Sequence, residues 1–249
     1  MINLEELVNS SSVETCTITA IIDSALCVGA GGSSGSLADK PIIRNSQGNL
    51  LIPASQIKGR LRHECEKIAR GLGWTISESP NAGRMLIKRN NAPEGFQRDE
   101  YKIPGYEDTY HCLISQIFGD PILPSRLLCD DLICTEDPEN LTEVLRPGIT
   151  INRRRKVAEE KKLYFLETSP ANAKLRFTGE IHIQSSVTAV TEERPDYAKA
   201  IIWAGLRHIN ALGGSKSAGL GWLSWELPEI KVDETVWKFL LKGKKSEAN

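Results

Sequence analysis

Asp39 is a lone carboxylate set between two features that favour polyanions. Before it runs the Gly/Ser-rich stretch Gly29-Ala30-Gly31-Gly32-Ser33-Ser34-Gly35-Ser36, and after it come the cations Lys58, Arg60 and Arg62. Backbone N–H groups freed by glycines, together with such cations, suit a phosphate backbone. A carboxylate in that neighbourhood can help hold a divalent cation, with phosphate oxygens completing a shell that one acid cannot fill. The competing reading is an exposed loop Asp beside a solvated helix face.

Two further stretches carry similar chemistry. Arg153-Arg154-Arg155-Lys156 is the densest cationic run in the chain. Adjacent like charges repel in tight packing, so the run suits a protruding hairpin that meets phosphates, or else a solvated loop. Gly213-Gly214-Ser215-Lys216-Ser217-Ala218-Gly219-Leu220-Gly221 is a second glycine loop. It lacks the GK[ST] ending of a Walker loop, and neither glycine loop completes GxGxxG, so a nucleotide-binding enzyme is a distant alternative. Its amides and Lys216 can hold a phosphate, and its glycines also suit a turn with positive φ. His63, on the first helix, and His208, near the end of the second, are the histidines placed for chemistry. His111, Cys112, Cys129 and Cys134 match no familiar zinc spacing, and ordinary thiols are expected there.

The elements that must position these residues follow from periodicity. Residues 14–23 read as a strand, followed by extended pieces at 41–44 and 50–52. A helix is expected from a Ser55 cap to about Arg70, with Ile57, Leu61, Cys65 and Ile68 on one face and Gly71 and Gly73 stopping it. Residues 74–121 form a loop-rich excursion containing a short helix over 111–118. The core resumes at 123–128. Later come a turn at 137–140, a strand over 174–184, a helix over 195–212, the glycine loop, and a last strand at 222–227. An amphipathic turn (Val236, Trp237, Leu240, Leu241) lies in the tail. Without the excursion, the order strand–helix–strands–strand–helix–strand predicts an α+β, ferredoxin-like or RNA-recognition-motif-like core with both helices on one face.

The whole-chain numbers bound the rest. A chain of 249 residues with 40% hydrophobic and 25% charged residues is ordinary for a soluble globular protein of one large domain or two small ones. Its net charge of −1 means that any nucleic-acid affinity comes from local basic patches, which fits a subunit that shares its grip on RNA with others. No apolar run reaches the ~18 residues of a membrane span, and the N-terminus does not read as a signal peptide. Six cysteines without a CxxC pair predict reduced thiols in a cytoplasm.

Four separated stretches resemble one family. Asp39-Lys40-Pro41-Ile42-Ile43-Arg44 and Ile52-Pro53-Ala54-Ser55-Gln56-Ile57-Lys58-Gly59-Arg60-Leu61-Arg62 are similar to the "Asp-x-Pro" and "Ile-Pro-Gly-Ser-Ser-Leu-Lys-Gly" elements of the RAMP superfamily of CRISPR effector proteins. Pro147 to Arg153 resembles its central "Thr/Ser-x-Ile-Asp-Arg" element, with Asn152 where the family usually has Asp. Gly205 to Trp225 resembles its C-terminal glycine-rich loop. The likeness is to the repeated backbone subunit of type III complexes. It implies one RAMP domain over 1–249, with an insertion at about 74–121 and a "thumb" β-hairpin at about 130–165.

The resemblance also implies partners and a reaction. The partners are guide CRISPR RNA, target single-stranded RNA and the other subunits of a ribonucleoprotein complex serving antiviral defense. RNA-binding residues would be Lys58, Arg60, Arg62, Arg153, Arg154, Arg155, Gly213, Gly214, Ser215, Lys216 and Ser217. Asp39 would be the catalytic and metal-holding residue of an endonuclease (a hydrolase) using Mg2+ or another divalent cation. The alternatives are a non-catalytic architectural or capping subunit, and a CRISPR RNA-processing endoribonuclease, for which only His63 lies near the expected place.

Overall fold

The computed structural model describes residues 13–29, 38–39, 41–78, 87–88, 109–121, 123–171, 173–185 and 195–241. Most of the Gly/Ser run, Lys40 and most of the 74–121 excursion lie outside the described residues. β1 (Val13–Ile22) alternates as its sequence predicts, with Cys16, Ile18, Ala20 and Ile22 buried and Thr15 and Thr17 exposed on the other face. After it come β2 (Leu51–Ile52), α1 (Ala54–Gly71), β3 (Ile87–Lys88), β4 (Thr109–Tyr110) and α2 (Ser115–Phe118). Then follow β5 (Leu127–Cys129), β6 (Leu132–Cys134), β7 (Val144–Asn152), β8 (Val157–Thr168) and β9 (Leu175–Gln184). α3 (Ala198–His208), β10 (Leu223–Glu226) and α4 (Glu234–Leu240) complete the chain.

The main sheet has the order β10-β1-β9-β6-β2, with β5 also paired to β9, and its described pairings are antiparallel. Taking β5 and β6 as one interrupted strand gives β1–α1–β5/β6–β9–α3–β10 with the spatial order 4-1-3-2. This is the split-βαβ, ferredoxin-like arrangement expected from the sequence. α1 and α3 pack on each other over the buried face. Their close approach depends on Gly205: a Cβ there would lie 2.5 Å from the Cys65 sulfur and 2.8 Å from Leu61 Cδ1. The apolar core runs between these helices and the sheet and includes Ile18, Ile57, Leu61, Phe177, Ile181, Ile202 and Leu206. α4 closes one end, where Phe239 stacks against Tyr197 and tilts against Trp74, each with ring centroids 5.4 Å apart.

Two boundaries differ from expectation, for a common reason. Ser55 does not cap α1. The helix starts at Ala54, whose N–H donates to Asp131 Oδ1 at 2.7 Å, so the cap comes from the turn between β5 and β6. α3 is shorter than 195–212: Asp196 accepts the Ala198 N–H at 3.0 Å at its start, and the chain turns extended at Ile209. In both places a distant element supplies or fixes the terminus. Arg126 holds Asp196 through Nη1 at 3.2 Å and Nη2 at 2.6 Å.

β7 and β8 form a separate two-stranded ribbon spanning Val144 to Thr168, while residues 132–134 of the expected thumb segment belong to the main sheet. The register pairs Pro147 with Phe165 and slips once between Ile149 and Ile151. Ile149, Ile151, Val157, Leu163 and Tyr164 are all exposed.

Candidate nucleic-acid interface

The ribbon's tip carries the arginine run. Asn152 Oδ1 accepts the N–H groups of Arg154 and Arg155, each at 3.1 Å, and Asn152 O accepts the Lys156 N–H at 2.7 Å. Asn152 therefore builds an Asx turn. That turn holds Arg153, Arg154 and Arg155 exposed at the end of a lever.

The glycine loop is similarly shaped by its own backbone. Gly213, Gly219 and Gly221 have φ of 87°, 84° and 72°, and Ser215 is also left-handed at 54°. At Gly221 a Cβ would sit 1.8 Å from Leu212 O, so only glycine fits. Gly214, Ser215, Lys216 and Ser217 are exposed, and the N–H groups of Ser215, Lys216 and Ser217 have no acceptor among the described residues. Lys216 Nζ donates to Gly213 O at 3.0 Å, folding its stem over the loop.

One extended strap, residues 23–29, ties these parts together. Its carbonyls at Ala25 and Cys27 accept from Gly221 N–H at 2.8 Å and Gly214 N–H at 2.7 Å, fixing the glycine loop. Leu26 exchanges two bonds with Ser169, just past the end of β8: Ser169 N–H donates to Leu26 O, and Leu26 N–H to Ser169 Oγ, both at 2.9 Å. Val28 O accepts the Ile43 N–H at 2.9 Å, and Gly29 bridges Ile42. A small apolar cluster of Ala25, Cys27 and Leu220, with Leu166 packed against it, seals the junction.

Asp39 belongs to the same junction. It is exposed, its N–H donates to Phe165 O at 3.1 Å, and its Oδ2 accepts the Phe165 N–H at 2.7 Å. Oδ1 has no partner among the described residues. The structure thus brings together Asp39, the base of the ribbon and the glycine loop.

The cations of α1 have other partners. Lys58 Nζ donates to Ser125 Oγ at 2.9 Å and Leu127 O at 2.8 Å, and burial lowers its pKa. Arg60 pairs with Glu64 at 2.8 Å; Arg62 pairs with Glu66 and donates to Gly119 O, both at 3.1 Å. The sequence held a signal for this, since both arginine pairs have i,i+4 spacing.

Glu64 is the buried hub of a charge cluster that sequence reading missed. Its side chain is 1% exposed and meets Arg60, Lys67 at 3.2 Å and His208 Nδ1 at 2.5 Å. Burial alone would raise its pKa, but His208, Lys67 and Arg60 together outweigh it and hold the carboxyl below its ordinary value. His63 is exposed on α1.

The cysteine–histidine set does not assemble. His111 pairs with Asp120 at 2.5 Å, Cys112 lies 3.1 Å from Ser77 Oγ and 3.2 Å from Ser115 Oγ, and burial pushes the Cys129 thiol up to about 11. Among the described residues, one group of three metal-capable side chains gathers: Asp130, Glu180 and His182, on the sheet face away from the helices. Both His182 nitrogens already have protein partners there, Thr15 Oγ1 at 3.0 Å and Asp130 Oδ2 at 3.3 Å. No described helix is long and apolar enough to cross a membrane.

Two comparisons relate this chain to known proteins. The sequence fits the family model of the RAMP superfamily over residues 19–224. The chain belongs to the RAMP superfamily. Among solved structures, a chain from the cryo-EM structure of the type III-B Cmr-beta bound to cognate target RNA shares the fold at a TM-score of 0.53 and 14% identity. The match covers 93% of this chain and 64% of that one, so this chain spans less than two thirds of the length of that chain. No curated protein matches.

Proposed function

We propose that this chain is an RNA-binding subunit of a type III CRISPR effector complex, working beside other subunits. Guide RNA lies across the junction described above. Arg153, Arg154 and Arg155 at the ribbon tip meet its phosphates, and the free amides of Ser215, Lys216 and Ser217, with the Lys216 ammonium, take a further phosphate on a turn shaped by Gly213 and Gly214. Lys58, Arg60 and Arg62 serve the fold rather than the RNA, since Ser125, Leu127, Glu64, Glu66 and Gly119 already hold them.

The observation that carries this reading is the shared strap. Gly214 and Gly221 hang on Cys27 and Ala25, the ribbon base hangs on Leu26, and Asp39 closes onto Phe165 of the same ribbon. Three segments far apart in sequence are thereby tied to one buried strap, leaving Asp39, residues 214–219 and the ribbon exposed for a strand to run past.

Target RNA cleavage follows from Asp39 at the edge of that path. A ribose 2′-hydroxyl attacks the adjacent phosphorus and the P–O5′ bond breaks, leaving a 2′,3′-cyclic phosphate and a 5′-hydroxyl. A divalent cation such as Mg2+, when bound, would supply charge stabilisation at the phosphate. Asp39 Oδ1 would orient it, since Oδ2 is taken by Phe165 N–H. The test is a reconstituted complex carrying Asp39→Asn, which keeps an acceptor for Phe165. Assembly and guide binding should survive while cleavage at that subunit's position disappears, as it should on chelation of divalent ions. Full cleavage by the variant would end the catalytic assignment.

The architectural reading has its own support, because Asp39 already has a structural bond. In that case Asp39→Asn cuts as well as the parent complex, and the chain serves as a scaffold or cap.

A further inference from the structure

Among the described residues the ribbon pairs with no third strand, and its hydrogen bonds to the rest of the chain gather at its base. The outer edge of β8 there is occupied at alternate residues. Phe165 exchanges two bonds with Asp39, Glu167 Oε2 accepts the Ile42 N–H at 2.7 Å, and Ser169 exchanges two bonds with Leu26. In a continued sheet every one of these bonds would join backbone to backbone. Here three of the acceptors are side-chain oxygens: Asp39 Oδ2, Glu167 Oε2 and Ser169 Oγ. The two carboxylates reach in opposite directions, Asp39 from the 38–43 segment to the ribbon and Glu167 from the ribbon back to that segment.

We infer that Asp39 and Glu167 form a reciprocal carboxylate clamp that sets the angle of the ribbon, making both of them positioning residues for the arginine tip. Eight residues of strand separate Phe165 from Val157, a reach of roughly 26 Å at about 3.3 Å per residue. A tilt of about 10° at the base therefore moves the tip by roughly 5 Å, more than the reach of a hydrogen bond. The clamp itself does not depend on the RNA reading; only its consequence for affinity rests on that reading. It also separates two roles in Asp39, one oxygen holding the ribbon and the other left for the RNA side.

The test uses the full chain with four substitutions: Asp39→Ala and Glu167→Ala, which remove the acceptor, and Asp39→Asn and Glu167→Gln, which keep one. Amide hydrogen exchange reads the clamp directly. Asp39→Ala should speed exchange at Phe165, and Glu167→Ala at Ile42, by about tenfold or more, with the amides of β1 and β9 unchanged as a check on the fold. The Asn and Gln variants should stay close to the parent. Binding of a fluorescein-labelled single-stranded oligouridylate should weaken several-fold in both Ala variants and recover in Glu167→Gln, which leaves Asp39 intact. Unchanged exchange in both Ala variants, or Asn and Gln variants as open as the Ala ones, would overturn the clamp. If the parent chain binds no RNA while exchange behaves as expected, the clamp stands and the RNA reading fails.

Discussion

Gly205 and Cys65 meet where the two core helices cross, so closely that a β-carbon on Gly205 would lie 2.5 Å from the Cys65 sulfur. The contact sets the spacing of α1 and α3. Cys65 is fully buried and its thiol also donates to Ile201 O at 3.4 Å. Gly205→Ala should destabilise the chain by about 1–3 kcal/mol through overpacking. Adding Cys65→Ala should return part of that loss in a double-mutant cycle read by urea unfolding. Purely additive effects would show that the helices shift apart freely.

The cap on α1 makes a second, smaller prediction. Asp131→Ala removes the acceptor for the Ala54 N–H and should cost about 0.5–2 kcal/mol, with Asp131→Asn close to the parent. Thermal unfolding at matched pH checks both.

Glu64 predicts an acid-side dependence. Its folded pKa lies below the ordinary carboxyl value of 4.5, so the unfolded chain takes up this proton first as pH falls. The stabilisation is fully present above the unfolded value and drains away as pH drops from about 4.5 through the lower folded value. Glu64→Gln should lose about 1–3 kcal/mol at neutral pH and show a flatter decline over the acid window. Unfolding free energies measured across that window would decide it; parallel curves for parent and variant would refute the assignment.

The ribbon tip yields a prediction about salt. Replacing Arg153, Arg154 and Arg155 together by Ala should leave the unfolding midpoint unchanged, because all three are exposed. It should also lower the slope of log affinity against log salt for single-stranded RNA by about 2, at roughly 0.7 per lost phosphate contact. A slope that does not move would take the tip off the RNA path.

Much of the fold was legible in the chain itself. The alternation in β1 and β9, the helical spacing of Ile57, Leu61 and Cys65, and a cationic run too dense to bury each carried a local signal with one structural outcome. What stayed hidden depended on partners distant in sequence. Nothing near Ala54 announces that Asp131 will cap it, and nothing near Asp39 announces Phe165. The arginines of α1 are a different case. Their i,i+4 glutamates were visible, but a helix face rich in both signs reads equally as a polyanion surface until burial is known. Glu64 shows the difference: the sequence gives its neighbours, and only the packing gives its 1% exposure.

The pairing of Pro147 with Phe165 has a bearing on crowding. Phe165 turns both its backbone groups outward to Asp39, so the opposite position on β7 also faces outward, and proline has no N–H to offer there. One rim of the ribbon is filled and the other is interrupted by an imino acid, a combination that blunts strand-to-strand recruitment. Neighbouring copies brought side by side are thus denied an unbroken ladder along which to polymerise, and the ribbon can be long, apolar and exposed without seeding a fibre.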